Sequence, residues 1–267
     1  MNRIEEKFRE AGDNGRTALI CYLTAGDPSI DLTKEIVLEL ERSGADIIEL
    51  GIPFSDPMAD GPTIQLASER ALAKGTTIHD VIKIAKEIRK DSQIPLILFG
   101  YYNPFFTYGL EQFANDAKNA GIDGILVVDL PPEESGEFKI YLEKNDLNLI
   151  FLLAPTSTDS RIGLVSEYAG GFIYLVSVTG VTGSRPEMEY SLSTLTKDIK
   201  KRSGIPVGIG FGVSSPEQAM DISKYADAVI VGSALVKIIE RNGENKNELL
   251  KEIGSFANSL SGSCIKN

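Results

Sequence analysis

Eight short apolar runs, each rich in β-forming residues, alternate with helical runs along the chain. We predict strands at Thr17–Leu23, Asp46–Leu50, Pro95–Phe99, Gly124–Val128, Asn148–Leu153, Phe172–Val176, Ile205–Ile209 and Ala228–Val231. These runs are mainly apolar and do not alternate between polar and apolar residues, which is typical of parallel strands covered by helices. A doubly wound open sheet could alternate in the same way. Eight units in 267 residues nevertheless favour an α/β fold with one closed (β/α)8 TIM barrel, a single domain over residues 1–267.

Two helices are predicted outside the simple alternation of strands and helices. Residues 3–11 form a short amphipathic helix, in which Ile4 and Phe8 lie one turn apart and can pack on the floor of the barrel. A helix over Pro62–Lys74 comes between the second strand and the helix that Thr77 opens. The sequence therefore predicts an extra N-terminal helix and an extra helix after strand two.

Composition and charge restrict the class of partner. The formal net charge is −11 and the basic residues are dispersed, so nucleic acid and anionic membranes are poor partners, although backbone amides can still hold a small anion. No apolar run approaches the ~20 residues of a membrane helix. Cys21 and Cys264 match no disulfide or metal spacing, which predicts free thiols in a reducing compartment. Residues 1–12 lack the apolar core of a signal peptide, so we expect a cytoplasmic protein.

Two carboxylates stand in the stretch Asp46–Gly61, DIIELGIPFSDPMADG. Glu49 lies within an apolar strand, where an unpaired charge is costly, and Asp60 follows in a proline-stiffened loop that can fold back over the strand end. Burial raises the pKa of one acid while hydrogen bonding keeps another ionised, which is what general acid–base catalysis requires. The alternative is that a core partner neutralises Glu49 and that Asp60 caps the next helix. Asp56 and Asp129 are weaker candidates.

Glycines follow the late strands and indicate a phosphate site. Gly212 follows strand seven, and Gly232 and Ser233 follow strand eight at the start of a short helix. Backbone N–H groups at a helix N-terminus attract an anion, and phosphate binds at this position in many TIM barrels. Gly183, in the loop after strand six, can donate a further amide. The alternative is that each of these is an ordinary turn glycine.

The residue types that are missing restrict the reaction. The only histidine, His79, is predicted on a helix surface, which argues against Ser-His and Cys-His nucleophiles and against a multi-histidine metal site. No lysine falls within the eight strand runs, so a Schiff-base lysine at a strand end is not expected. Tyr22, Tyr101 and Phe211 stand at strand ends, where they can flank an aromatic substrate or pack in the core.

Several motifs together resemble the tryptophan synthase alpha subunit family. The longest is ELGIPFSDPMADGPTIQ at Glu49–Gln65. The others extend the resemblance over the whole chain: TAGDP (Thr24–Pro28), GYYNP (Gly100–Pro104), DLPPEES (Asp129–Ser135), GVTG (Gly180–Gly183), GFG (Gly210–Gly212) and VGSALV (Val231–Val236). The resemblance implies an enzyme that cleaves indole-3-glycerol phosphate to indole and glyceraldehyde 3-phosphate in the last stage of tryptophan biosynthesis.

The resemblance also implies roles for individual residues. Glu49 would be the main acid–base group, and Asp60 would accept a hydrogen bond from the indole N–H. Thr182 would help to close the site and to position Asp60. Contacts near the phosphate are implied for Tyr174, Gly183, Phe211, Gly212, Gly232 and Ser233. Because an indole protonated at C3 is its own electron sink, two carboxylates suffice without a metal or a Schiff base.

The resemblance further implies no cofactor in this chain and a pyridoxal-phosphate beta subunit as partner, in an alpha2beta2 heterotetramer. Two alternatives stay open. One is a free-standing lyase, or a phosphate-binding barrel isomerase that acts on a related metabolite. The other, of a different class, is a subunit whose main role is to bind and activate its partner through the loops Pro53–Asp60 and Val178–Arg185 at the barrel mouth.

Overall fold

A computed structural model describes residues 2–176, 185–210 and 212–266 of the chain. Eight parallel strands pair in sequence order, and β8 pairs with β1, which closes the barrel. The predicted closed (β/α)8 barrel is therefore confirmed, and the open sheet is excluded. The strands are β1 (Ala18–Thr24), β2 (Ile47–Gly51), β3 (Leu96–Gly100), β4 (Gly124–Val127), β5 (Asn148–Leu153), β6 (Ile173–Val176), β7 (Val207–Gly210) and β8 (Ala228–Val231).

Helices surround the barrel and include both of the predicted extra ones, α1 and α3. Their bounds are α1 (Arg3–Asp13), α2 (Ile30–Arg42), α3 (Pro62–Ala73), α4 (Ile78–Ile88), α5 (Tyr102–Tyr108), α6 (Leu110–Asn119), α7 (Gly136–Lys144), α8 (Asp159–Tyr168), α9 (Arg185–Ser203), α10 (Pro216–Ser223), α11 (Ser233–Asn242) and α12 (Lys246–Ser261). None of the helices in the described ranges combines the length and apolar composition needed to cross a bilayer.

Helix α5 was not predicted, because the stretch Gly100–Pro104 was assigned only as the end of strand three. In the structure Pro104 lies in the first turn of the helix, where a missing N–H costs no hydrogen bond. The backbone N–H of Tyr102 donates to Asp129 Oδ1 at 2.7 Å, so a distant carboxylate supports the start of the helix. This contact joins residues 27 positions apart, which local sequence patterns do not reveal.

The side chains of each strand alternate between the barrel interior and the surrounding helices. In β2, Ile47 packs with Ile20 in the interior cluster, whereas Ile48 and Leu50 pack in the cluster between strands and helices. Glu49 therefore points into the barrel interior. All residues of β2 are buried, which explains why this strand reads as a continuous apolar run apart from its carboxylate.

Helix α1 closes the floor of the barrel, as predicted. Its Ile4, Phe8 and Ala11 are buried against the interior cluster, and the rings of Phe8 and Phe172 are 5.6 Å apart. The helix begins with a capping box, in which the Asn2 side chain accepts from the backbone of the first turn. Cys21 and Cys264 are buried free thiols, which confirms the prediction that they form no disulfide.

Helix α3 is tied to the loop after β1. Arg70 in α3 forms a bidentate ion pair with the buried Asp27, with an Nη2–Oδ2 distance of 2.8 Å and an Nε–Oδ1 distance of 3.0 Å. Another guanidinium nitrogen of Arg70 donates to Glu240 of α11 at 2.9 Å. Bidentate pairs fix geometry as well as charge. The extra helix is thus held beside the carboxyl ends of the strands.

Three buried or half-buried aspartates at the opposite end, Asp46, Asp123 and Asp227, tie neighbouring strands together. Each precedes an even-numbered strand and accepts a backbone N–H from the strand before it, at 2.9 to 3.1 Å. Each also forms ion pairs, which keep the carboxylate from being buried without a counter-charge. The cations are Arg16 for Asp46, Arg3 and Arg89 for Asp123, and Lys200 and Lys266 for Asp227.

We expect Asp123→Ala to lower the free energy of unfolding by about 3–5 kcal/mol, because it removes the counter-charge of the half-buried Arg89 guanidinium and leaves a strand N–H without its acceptor. Urea unfolding followed by circular dichroism measures this change. The control is Glu87→Ala, which removes an exposed ion pair with Lys90 and should leave the midpoint almost unchanged. Equal midpoints for the two variants would contradict the assignment.

Candidate active site

Glu49 is a buried carboxyl group in the barrel interior, near the carboxyl end of β2. It is 1% exposed, and its Oε1 has no hydrogen-bond partner among the described residues. Burial raises its pKa to about 8, so the side chain is protonated at neutral pH. The alternative interpretation was that a core partner neutralises Glu49. Among the described residues no group bonds to Glu49 Oε1, so the structure does not support that alternative.

Aromatic rings surround this carboxyl group. Tyr22 is its register neighbour on β1, and Tyr174 lies on β6, the strand opposite β2 in the closed barrel. Glycines make room for both hydroxyls: a Cβ at Gly51 would lie 2.2 Å from the Tyr22 oxygen, and one at Gly210 would lie 2.4 Å from the Tyr174 oxygen. The two predicted aromatic residues therefore lie within the barrel, where their bulk excludes water from Glu49.

Asp60 is half-buried in the loop between β2 and α3. Its Oδ2 accepts a hydrogen bond from the Tyr101 hydroxyl at 3.2 Å, and its backbone carbonyl accepts one from the Gln65 amide at 2.9 Å. Burial raises the pKa of Asp60 to about 6, although the hydrogen bond from Tyr101 opposes this shift. Gly61 occupies the N-cap of α3, so Asp60 is not the helix cap. Sequence reasoning did not foresee the anchoring by Gln65, which lies one helical turn after Gly61.

The two carboxyl groups therefore differ in protonation state near pH 7. Glu49, with a pKa of about 8, holds its proton, and Asp60, with a pKa of about 6, is mostly ionised. Two carboxyl groups whose environments separate their pKa values can divide the acid and base roles of one reaction. The sequence placed both acids at this end of the barrel, but only the structure shows which group holds the proton.

A cavity of about 690 Å³ opens at the carboxyl ends of β3–β6. Asp60, Phe99 and Tyr174 line it, and most of its wall is apolar. Glu49 lies one layer deeper, because Phe99 pairs with Gly51, two residues farther along β2. A planar apolar ring can therefore occupy this cavity with Asp60 on its wall and Glu49 below it.

Two of the glycines predicted at the phosphate site, Gly212 and Gly232, lie after β7 and β8 in the structure. Gly232 occupies the N-cap position of α11 and Ser233 is its first residue, so the N–H groups of this first turn are free of partners within the helix. Gly212 has a φ of +79°, a conformation that favours glycine, and with Ser233 it lines a cavity of about 390 Å³. Lys237, one helical turn after Ser233, lines the same cavity. Lys237 was not predicted as a site residue, although its four-residue spacing from Ser233 places the two on one face of the helix.

The remaining candidates have local roles or lie outside the description. Asp129 supports the start of α5, and Asp56 is exposed and accepts a hydrogen bond from Ser55. His79 is exposed in the first turn of α4, as predicted, and its ring packs against Tyr108 at 4.4 Å. Three predicted site residues lie outside the described residues, namely Thr182, Gly183 and Phe211. Within the described ranges no group of three or more His, Cys, Asp or Glu side chains could hold a metal ion.

Comparison with known proteins identifies the family. The family model of the tryptophan synthase alpha chain matches residues 8–263. The chain belongs to this family. A tryptophan synthase alpha chain from Geobacter sp. (strain M21) is 49% identical over 266 residues, which cover 100% of this chain and 99% of the relative. One from Thermoanaerobacter sp. (strain X514) is 49% identical over 260 residues, which cover 97% and 98%.

Solved structures agree with this assignment. The crystal structure of the tryptophan synthase alpha subunit from Legionella pneumophila str. Paris has a TM-score of 0.92 at 39% identity, over 99% of this chain and 98% of that chain. The tryptophan synthase complex from Pyrococcus furiosus has a TM-score of 0.83 at 38% identity, over 92% and 99%. The resemblance found in the sequence motifs is therefore confirmed at the level of the family and the fold.

We expect Glu49→Gln to stabilise the fold increasingly as pH rises. The folded-state pKa of about 8 lies above the usual carboxyl value of 4.5, so stability falls as pH rises from about 4.5 to 8, while only the unfolded chain loses its proton. Glutamine removes this penalty, on the order of 3 kcal/mol near pH 7 and much less at pH 5. Urea unfolding at both pH values tests this, with the exposed Glu137→Gln as control. Equal stabilisation at the two pH values would contradict the buried, protonated state.

Proposed function

We propose that the chain catalyses the retro-aldol cleavage of indole-3-glycerol phosphate to indole and glyceraldehyde 3-phosphate, the alpha reaction of tryptophan biosynthesis. The observation that carries the proposal is the pair Glu49 and Asp60, which differ in protonation state at one barrel mouth. Membership of the tryptophan synthase alpha chain family supports the choice of substrate. The apolar cavity beside Asp60 supports an aromatic ring as the group that is bound.

Glu49 carries out the proton transfers. Its protonated carboxyl donates to C3 of the indole ring, which places positive charge on the ring nitrogen. The resulting carboxylate then takes the proton of the glycerol hydroxyl next to the ring. As that C–O bond becomes a carbonyl, the bond to C3 breaks and its electrons neutralise the ring. Glu49 ends protonated again, and the protonated ring serves as the electron sink, so the reaction requires neither a metal nor a Schiff base.

Asp60 stabilises the charge that develops on the ring. Its ionised carboxylate accepts a hydrogen bond from the indole N–H, in a site where apolar walls strengthen the electrostatic attraction. Tyr22, Tyr101 and Tyr174 flank the indole, and the family resemblance assigns closure of the site to Thr182, which lies outside the described residues. This arrangement favours the transition state more than the neutral substrate, because the positive charge on the ring appears only during the reaction.

The phosphate group binds at the late strands, with the N-terminus of α11 as its main donor. The backbone N–H groups of the first turn of α11, which begins at Ser233 after the N-cap Gly232, have no acceptor within the helix and carry partial positive charge. Gly212 borders the same cavity as Ser233. The family resemblance adds Gly183 as a further amide donor and Phe211 as a neighbour of the phosphate, and both residues lie outside the described ranges. Neutral amides thus hold the anion in a chain whose own net charge is −11.

We further propose that the chain acts as a single domain in the cytoplasm, holds no cofactor, and assembles with a pyridoxal-phosphate beta subunit as an alpha2beta2 heterotetramer. A solved relative is described as a tryptophan synthase complex. Met58, in the loop that carries Asp60, is 86% exposed, and Phe106 on α5 is 61% exposed. These exposed apolar side chains at the rim of the barrel offer contact area to a partner. The same exposure favours a second role, in which the chain activates its partner.

Indole release from indole-3-glycerol phosphate tests the proposal. We expect Glu49→Gln to lower kcat by about 10²–10⁴, the usual contribution of a positioned acid–base group, without weakening phosphate binding. Asp60→Asn should also lower kcat strongly. The matched control is Asp56→Asn, which changes an exposed carboxylate of the same loop and should keep its activity. Full activity in Glu49→Gln would refute the assignment of roles, and assays with and without the beta subunit separate catalysis from activation.

The pH dependence of kcat/KM should be bell-shaped. The rate rises as Asp60 loses its proton near a pKa of about 6, because the ionised form stabilises the ring. It falls as Glu49 loses its proton near a pKa of about 8, because the protonated form starts the reaction. Initial rates between pH 5 and pH 9 measure both limbs. A rate that is constant over this range would contradict the proposed protonation states.

A further inference from the structure

Tyr101 contacts the loop between β2 and α3 at both of its ends. The residue follows β3 directly, is 4% exposed, and stacks its ring on Phe54 with 5.2 Å between ring centroids. Its hydroxyl accepts a hydrogen bond from the backbone N–H of Ala59 at 2.9 Å. The same hydroxyl donates to Asp60 Oδ2 at 3.2 Å. One side chain thus meets the start of the loop through its ring and the end of the loop through its hydroxyl.

The hydrogen bond from Ala59 fixes the direction of the Tyr101 proton. A phenol carries one proton and can also accept, so the Ala59 N–H occupies the acceptor side and directs the O–H toward Asp60. In the described part of the chain, Gln65 is the other side chain from outside the loop that forms hydrogen bonds with the loop. It donates to backbone carbonyls of the loop and not to the Asp60 carboxylate. Within the described residues, Tyr101 is therefore the side chain that donates a hydrogen bond to the Asp60 carboxylate.

From this geometry we infer that Tyr101 is a positioning residue for Asp60: it holds the carboxylate toward the cavity in the orientation that accepts the indole N–H. The inference rests on the proposed function, since it assigns Tyr101 an effect that acts through Asp60. The inference assigns Tyr101 more than contact with the aromatic ring of the substrate, because the effect depends on the Tyr101 hydroxyl and not on the Tyr101 ring. A structural role in loop packing alone would instead reside in the ring and its stack on Phe54.

The surroundings of Asp60 make this donor important. The titratable and charged groups that face Asp60 or its cavity in the described residues are Tyr22 from β1, Glu49 of β2 below the cavity, Tyr174 from β6, and Asp129 and Arg161 on the cavity wall. Asp60 bonds to none of these in the described part of the chain, whereas Tyr101 donates to it directly. Loss of the hydroxyl therefore leaves the ionised carboxylate half-buried with less stabilisation, and its pKa should rise further.

Tyr101→Phe tests the inference, because it keeps the ring on Phe54 and removes only the hydroxyl. We expect kcat for indole release to fall about tenfold or more, as for a hydrogen bond to a charged group, with KM changed less than about twofold. The acidic limb of the kcat/KM profile should move up by about one pH unit. The control is Tyr108→Phe, which removes a hydroxyl bonded to Asp116 at 2.7 Å and should leave kcat and the acidic limb unchanged.

A double-mutant cycle separates this inference from the proposed function. If Tyr101 acts through Asp60, adding Tyr101→Phe to Asp60→Asn should cost little beyond the single Asp60→Asn change. Full additivity, or a Tyr101→Phe enzyme with the wild-type kcat and acidic limb, would overturn the inference alone. An Asp60→Asn enzyme with wild-type activity would instead overturn the proposed role of Asp60. Equal thermal unfolding of wild type and Tyr101→Phe verifies that the rates compare folded enzymes.

Discussion

The pairing of β8 with β1 is the constraint on which the rest of the structure depends. Once the sheet is closed, one face of every strand turns toward a shared interior that contains little water. Apolar side chains can fill this interior at little cost in free energy, whereas the burial of a carboxyl group is costly. Glu49 is tolerated there because it holds a proton, and that proton is also what the proposed reaction uses. Burial therefore sets both the cost of this residue and its chemistry.

The two ends of the barrel use carboxyl groups in opposite ways. At the end where the strands begin, Asp46, Asp123 and Asp227 form ion pairs with arginine or lysine and also accept a strand N–H. At the end where the strands finish, Glu49 forms no ion pair within the described residues, and Asp60 accepts a hydrogen bond from the phenol of Tyr101. Paired charges contribute to stability, whereas unpaired ones keep the perturbed pKa values that catalysis needs. This division agrees with the usual separation of stability and function in TIM barrels.

Much of the fold was predictable, because an apolar run of five residues bounded by glycine or proline reports a buried strand directly. Glu49 stood out for the same reason, as the one acid in the interior of such a run, whereas Asp46 stands at its start. Helix α5 was missed because its start depends on Asp129, which lies far along the chain. The contact of Tyr101 with Asp60 spans 41 positions and leaves no local pattern. The pKa values were equally out of reach, since they depend on how deeply each acid is buried.

The closed floor of the barrel determines where a product can leave. Phe8 of α1 packs on Phe172 inside the barrel, so this helix blocks passage on the side where the strands begin. A small apolar product released above Glu49 must then leave through the rim by which the substrate arrived. Any protein seated on that rim, against Met58 and Phe106, would receive the product before bulk solvent does. Because helix α1 closes one end of the barrel, the other end is where a product can pass directly from one enzyme to another.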